Sequence, residues 1–211
     1  MKVALIATEC TPLAKVGGLG DVIGALPKAL VNLGVEPVVI LPYYQSIEKF
    51  QPTQTKLELK FSVDEKTETW TVFETVLPRT NIKVFLLGHP LFWTAEIYDM
   101  PKDSFRFASF SRAAVELAKK IKADLVHCHD WHTALVPLML KGTGLPTLIT
   151  IHNVHPGTGL DQISVNELIK LSVDPSKFVK TKDDRPGTVS LLAQGINSAY
   201  FITTVSPTNA L

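Results

Sequence analysis

The 211-residue chain has only two cysteines, Cys10 and Cys128. They allow at most one bridge, which is no disulfide framework at this length, so a reducing, cytoplasmic setting is expected. No apolar run approaches the roughly 18 residues that would suggest a membrane span. The apolar stretch after Met1 and Lys2 is too short for a signal-peptide core and reads as a first strand. Charge of one sign is also lacking. Lysine and arginine number 21, aspartate and glutamate 20, and the net charge of +1 is spread without an acidic or basic block. Nucleic acid and membrane surfaces are therefore not indicated as partners. There is no internal repeat and no low-complexity segment. What remains is an ordinary globular composition, 45% apolar, sufficient for one large domain or two small ones.

The pattern of that apolar content is βα. "VALIA" (3–7) and "PVVIL" (37–41) read as strands buried on both faces of a parallel sheet. Between them Val22, Ile23, Leu26, Ala29, Leu30 and Leu33 recur at helical spacing, with Gly34 at the C-cap and a kink expected at Pro27. The middle alternates instead. "KLELKFSV" (56–63) and "TWTVFETV" (69–76), joined by "DEKT", predict an antiparallel hairpin, with "IKVFLL" (82–87) as a third strand near it. A helix follows over 103–122. The βα rhythm then resumes: strand 124–129, helix 132–141 closed by Gly142, strand 146–152, a short helix opened by the capping box Ser164 to Glu167, a helix near 188–197, and strand 200–205. Ser206 and Pro207 suit the start of another helix, yet the chain stops at Leu211, so an excised part of a longer protein is expected.

"KVGGLGDV" (15–22) places glycines between the first strand and the first helix. It fits neither common nucleotide loop. The nearest match to G-x-G-x-x-G, Gly18 to Gly24, is one residue too long, and the linker from the strand exceeds a tight turn. A Walker A lysine follows its last glycine, whereas Lys15 precedes them. Two readings stay open. Glycine amides, a helix N-terminus and Lys15 could together bind an anion, with Asp21 capping the helix or accepting from sugar hydroxyls. Alternatively the glycines permit a bend and Lys15 is solvated.

"HCHDWH" (127–132) straddles a strand end, with His127 and His129 on one face and Cys128 on the other. Structural zinc wants four converging ligands, and no second Cys/His cluster exists, so no metal is expected. Asp130 and Trp131 fall where a parallel strand opens into a ligand crevice. His152 and Asn153, in "IHNVHPGTG" (151–159), leave the next strand at the same edge. Three loops would thus converge.

At this level of detail the sequence resembles bacterial glycogen synthases and plant starch synthases. "MKVALIATECTPLAKVGGLGDVIGALPKAL" looks like their N-terminus. "DSFRFASFSRAAVELA" (103–118), "HCHDWHTALVP" (127–137), "TIHNV" (150–154) and "ITTVSPTNA" (202–210) resemble further family segments in the family's order. These are retaining glucosyltransferases of GT-B fold, two Rossmann-like domains facing across a cleft. The resemblance implies that this chain is the N-terminal domain: α/β, three-layered, with a mainly parallel sheet and a β-hairpin insertion. Lys15 and the Gly17 and Gly18 backbone would contact the diphosphate of ADP-glucose or UDP-glucose. Asp21 would lie in the active cleft. Asp130 and His152 would bind the transferred glucose, with Asn153 and Trp131 beside them and Tyr98 matching a family tyrosine near the site. The partners implied are the sugar nucleotide, an α-1,4-glucan and a C-terminal domain carrying an Arg/Lys pair and a glutamate; no cofactor is implied. Three places depart from the family: His155 to Gly159 replaces an aromatic-Gln-Gly stretch, Asn209 a tyrosine and Ser104 an asparagine. The rivals to this resemblance are a non-catalytic glucan- or nucleotide-binding module and an NAD(P)-dependent enzyme, the latter disfavoured by glycine spacing.

Overall fold

The computed structural model describes residues 1–99, 102–153, 160–182 and 184–206. Its core is a mixed sheet of eight strands in the order β10-β7-β6-β1-β2-β5-β4-β3. The central strands are β1 (Lys2–Ile6), β2 (Glu36–Pro42), β6 (Leu125–His129) and β7 (Thr147–Ile151). Val3 to Ile6 and Val38 to Leu41 are buried, as continuous apolar runs covered on both sides must be. From β10 (Phe201–Thr204) to β5 (Lys83–Gly88) every pairing is parallel. The expected hairpin is present as β3 (Thr53–Val63) and β4 (Lys66–Val76), with the expected third strand beside it. β4 pairs antiparallel to β5, which itself pairs with β2, so the hairpin extends one edge of the main sheet.

Strand order reverses between β1 and β6. The chain moves from β1 to β2 through helix α1 (Gly18–Asn32), then returns from β5 to β6 through helix α2 (Asp103–Lys120). Right-handed crossovers in opposite directions put α1 on one face and α2 on the other. Helix α3 (Leu135–Leu140) packs alongside α2, and α5 (Leu191–Ser198) packs against α3, completing the third layer. The crevice at this switch point, outside the carboxyl ends of β1 and β6, is where open α/β sheets bind ligands.

Three local readings change. Helix α1 begins at Gly18, four residues before the apolar pattern, because a carboxylate from outside the helix holds its entry (below). The segment 188–190 is a strand, β9, pairing antiparallel with β8 (Gln162–Ser164), and the expected helix starts only at Leu191. Residues 131–133 form a separate 3-10 turn before α3. The capping box is present: Ser164 accepts from Asn166 N and Glu167 returns a bond to Ser164 N, opening α4 (Val165–Lys170). Helix α1 runs through Pro27 without interruption. Proline has no N–H for the Ile23 carbonyl one turn back, and the Cys10 thiol donates to that oxygen at 3.6 Å. Burial pushes the Cys10 thiol up to about 12, so the proton stays on sulfur. The expected helix start at Pro207, Asn209 and the departures at His155 to Gly159 lie outside the described residues.

Candidate active site

The loop from β1 to α1 is long but fixed by its own backbone. Cys10 exchanges amide bonds with Ala14 at 2.8 and 3.0 Å, and Thr11 N donates to Gly20 O at 2.8 Å. Gly24 is needed for this packing, since a Cβ there would stand 2.7 Å from Thr11 O. Gly18 is different: a Cβ there would meet nothing within 4 Å. Its openness therefore does not serve the chain's own packing.

The organiser of the loop is Glu9, which the sequence reading did not single out. It is 3% exposed. Its Oε2 accepts from Val16 N at 2.6 Å and Gly17 N at 2.7 Å, and its Oε1 accepts from the Tyr98 hydroxyl at 2.6 Å. A negative charge at a helix N-terminus meets both the free amides and the positive end of the dipole. The Gly17 amide is thus engaged by the protein itself. The Gly18 and Leu19 amides have no acceptor among the described residues. Burial, then the bond to Glu9, holds the Tyr98 phenol well above its usual range, so it acts as a donor. Asp21 does not cap the helix. It pairs with Lys15 Nζ at 2.6 and 2.7 Å and accepts from the Thr11 hydroxyl at 3.1 Å, and the Lys15 bond lowers its pKa. Both partners are about half exposed.

Across the switch point, Asp130 follows β6 directly. It is 4% exposed with φ 61° and ψ −179°, a region nearly confined to glycine. Its Oδ1 accepts from His152 N at 2.9 Å and Asn153 N at 3.2 Å, tying the end of β7 to the end of β6. Trp131 is buried against His132 and Phe107. Gly17, Gly18, Tyr98, Asp130, Trp131 and Asn153 meet around one cleft of about 270 Å³ that Glu9 also lines. Lys15, Asp21 and His152 stand outside that lining.

Three imidazoles lie together at the ends of β6 and β7. His127 and His129 share a face of β6 with ring centroids 4.1 Å apart, and His129 Nδ1 is 3.0 Å from His152 Nε2. His127 Nε2 meets the Thr150 hydroxyl at 2.7 Å. These rings bond to one another and to threonine; among the described residues no group of three or more His, Cys, Asp or Glu side chains could hold a metal ion. Burial lowers all three pKa values, with His127 brought from 6.5 to about 4. The sign follows: the unfolded chain binds the proton near 6.5, the folded one only near 4, so stability is intact above pH 6.5 and is lost as pH falls. His127 alone should cost roughly 2 kcal/mol between pH 7 and 5. Urea melts at the two pH values check this. His127→Gln should remove about that share of the acid sensitivity and leave what His129 and His152 contribute, and a variant as acid-sensitive as wild type would assign it elsewhere.

Fold and site together define a Rossmann-like α/β domain with a cleft at its topological switch point. The chain belongs to the starch synthase catalytic domain family, whose model matches residues 2–211. It is 35% identical to a glycogen synthase of Gloeobacter violaceus over 100% of this chain and 43% of that protein. Against a glycogen synthase of Bacillus subtilis the identity is 33%, over 99% of this chain and 45% of that protein. The catalytic domain of starch synthase IV from Arabidopsis thaliana, solved bound to ADP and acarbose, superposes with a TM-score of 0.85 at 30% identity, over 99% of this chain and 45% of that one. The chain therefore spans less than half the length of the curated relatives it matches. No helix among the described residues is long and apolar enough to cross a membrane.

Proposed function

We propose that the chain is the N-terminal domain of a two-domain retaining glucosyltransferase of glycogen or starch synthase type. The reaction is transfer of glucose from ADP-glucose or UDP-glucose to the non-reducing end of an α-1,4-glucan, in the cytoplasm. The observation that carries this reading is the convergence of Gly18, Tyr98, Asp130 and Asn153 on one switch-point cleft, in a chain matching the starch synthase catalytic domain from end to end.

The leaving diphosphate gains charge as the sugar C1–O bond breaks. The open Gly18 and Leu19 amides and Lys15, released from Asp21, meet that charge, which is greatest in the transition state. Asp130 holds the backbone of His152 and Asn153 so that these residues orient the sugar for attack from the leaving-group side. At about 270 Å³ the cleft is smaller than the roughly 300–1,000 Å³ that encloses a small-molecule ligand. A second domain supplies the opposite wall, and the chain alone transfers no glucose.

Labelled ADP-glucose and UDP-glucose, incubated with glycogen and either this chain or the product of the complete reading frame, test the reading. Incorporation is expected with the longer protein only. Incorporation by the chain above a Lys15→Ala/His152→Ala control would overturn the two-domain account. No incorporation by either protein would leave a binding module. In the longer protein Lys15→Gln should slow transfer about tenfold, near 1.4 kcal/mol. Lys15→Arg should restore it only in part, since a planar guanidinium does not replace a compact ammonium against glycine backbone.

A further inference from the structure

We propose that His129 is a positioning residue: it donates from Nδ1–H to Nε2 of His152 and so fixes the tautomer of His152. His129 is fully buried at the end of β6. Its Nδ1 stands 3.0 Å from His152 Nε2, and its own Nε2 is buried with no partner among the described residues. Two neutral arrangements satisfy the shared bond. If His152 donated, the His129 proton would sit on Nε2, as a buried N–H facing no acceptor. If His129 donates, what is left over is a lone pair. Orphaned buried N–H groups are the rarer defect, because a donor has one proton to satisfy and no alternative direction. The second arrangement is therefore the one built into the fold.

The charged and titratable groups around the pair support neutrality. The His127 ring lies against that of His129 on the same strand, and burial disfavours charge on all three rings. Asp130 and Glu9 pull the other way on His152, yet its pKa is still lowered. A charged His152 would also have to donate from Nε2, forcing His129 into the arrangement with the orphaned N–H. With Nε2 accepting, the remaining proton of His152 is on Nδ1, and no described residue takes it. His152 thus offers one fixed N–H to a hydroxyl or ring oxygen of a bound sugar. That last consequence rests on the glucosyl-transfer reading; the tautomer does not.

The test is a long-range proton–nitrogen correlation spectrum of the chain labelled with ring-15N histidine at pH 7.5, with His152 identified by the loss of its signals in His152→Gln. The expected pattern is the Nδ1–H tautomer for both His129 and His152. In His129→Phe, which keeps the ring's bulk and removes its donor, His152 should become a mixture of tautomers. In His129→Asn, whose side-chain amide lies near the former Nδ1–H, the single tautomer should return. A wild-type His152 protonated at Nε2 overturns the proposal without any variant, and so does an unchanged tautomer in His129→Phe. The spectrum requires no turnover, so a failure of the transfer reading leaves this result standing and the reverse also holds.

Discussion

Asp130→Ala and Asp130→Gly, made in the proposed two-domain enzyme, are both expected to lower kcat about a hundredfold, with the glycine variant the more stable of the two. The loss of activity follows from the carboxylate: without it the His152 and Asn153 amides lose their shared acceptor at the end of β6. A mispositioned transition-state contact costs about 3 kcal/mol. The stability order is the sharper test. Ordinarily alanine is favoured over glycine by about 0.5–1 kcal/mol in regular structure. At φ 61° and ψ −179° a Cβ costs roughly 1–3 kcal/mol, so the order should invert. Urea denaturation of the isolated chain measures it without any assay. An alanine variant as stable as the glycine one would mean that residue 130 stores no strain.

Arg106→Ala should be among the most destabilising single changes. Arg106 and Asp103 are 2% and 3% exposed and form an ion pair. The guanidinium also donates to Leu91 O at 3.0 Å and Ile97 O at 3.4 Å, and it lies over the Phe92 ring at 4.9 Å. Truncation leaves a buried carboxylate without its counter-charge, at a cost of about 3–5 kcal/mol. For a chain of this length that is a fall in Tm of roughly 6–20 °C. Lysine should not rescue, since one ammonium cannot bridge the carboxylate and two carbonyls in a plane. The effect should also reach the site. The two carbonyls anchor the segment that ends at Tyr98, and Tyr98 holds Glu9. A variant melting at the wild-type temperature would remove the pair from this role.

What the sequence made legible is what continuous runs and strand ends encode. β1 and β2 are near-continuous apolar runs, as strands buried on both faces must be, and β6 and β7 are short, mostly apolar segments that carry polar side chains toward the site. The meeting of Asp130 with His152 and Asn153 was legible because carboxyl ends of parallel strands share one edge. The rest depends on partners remote in sequence. Glu9 looks like an isolated acid until Val16, Gly17 and Tyr98 are seen around it, and its grip explains why α1 starts before the apolar pattern does. The strands β8 and β9 have three residues each, too few for a period, and they pair across a long intervening segment. The hairpin was legible, with a third strand near it, but nothing local says that this third strand also pairs with β2 and so joins the hairpin to the main sheet. The pairing of Lys15 with Asp21 is a choice between two exposed charges six residues apart, which no pattern specifies.

The position of β1 also sets the order in which the molecule can assemble. β1 has β2 on one side, soon after it in the chain, but on the other side Val3 pairs with Leu125 and Ile6 with Cys128. During synthesis the first strand must therefore wait, with one row of amides and carbonyls unpaired, until Leu125 to Cys128 have been made. Closing so long a loop before any pairing rewards it is slow. The cleft lies across this junction, so its two walls come together only at that late step.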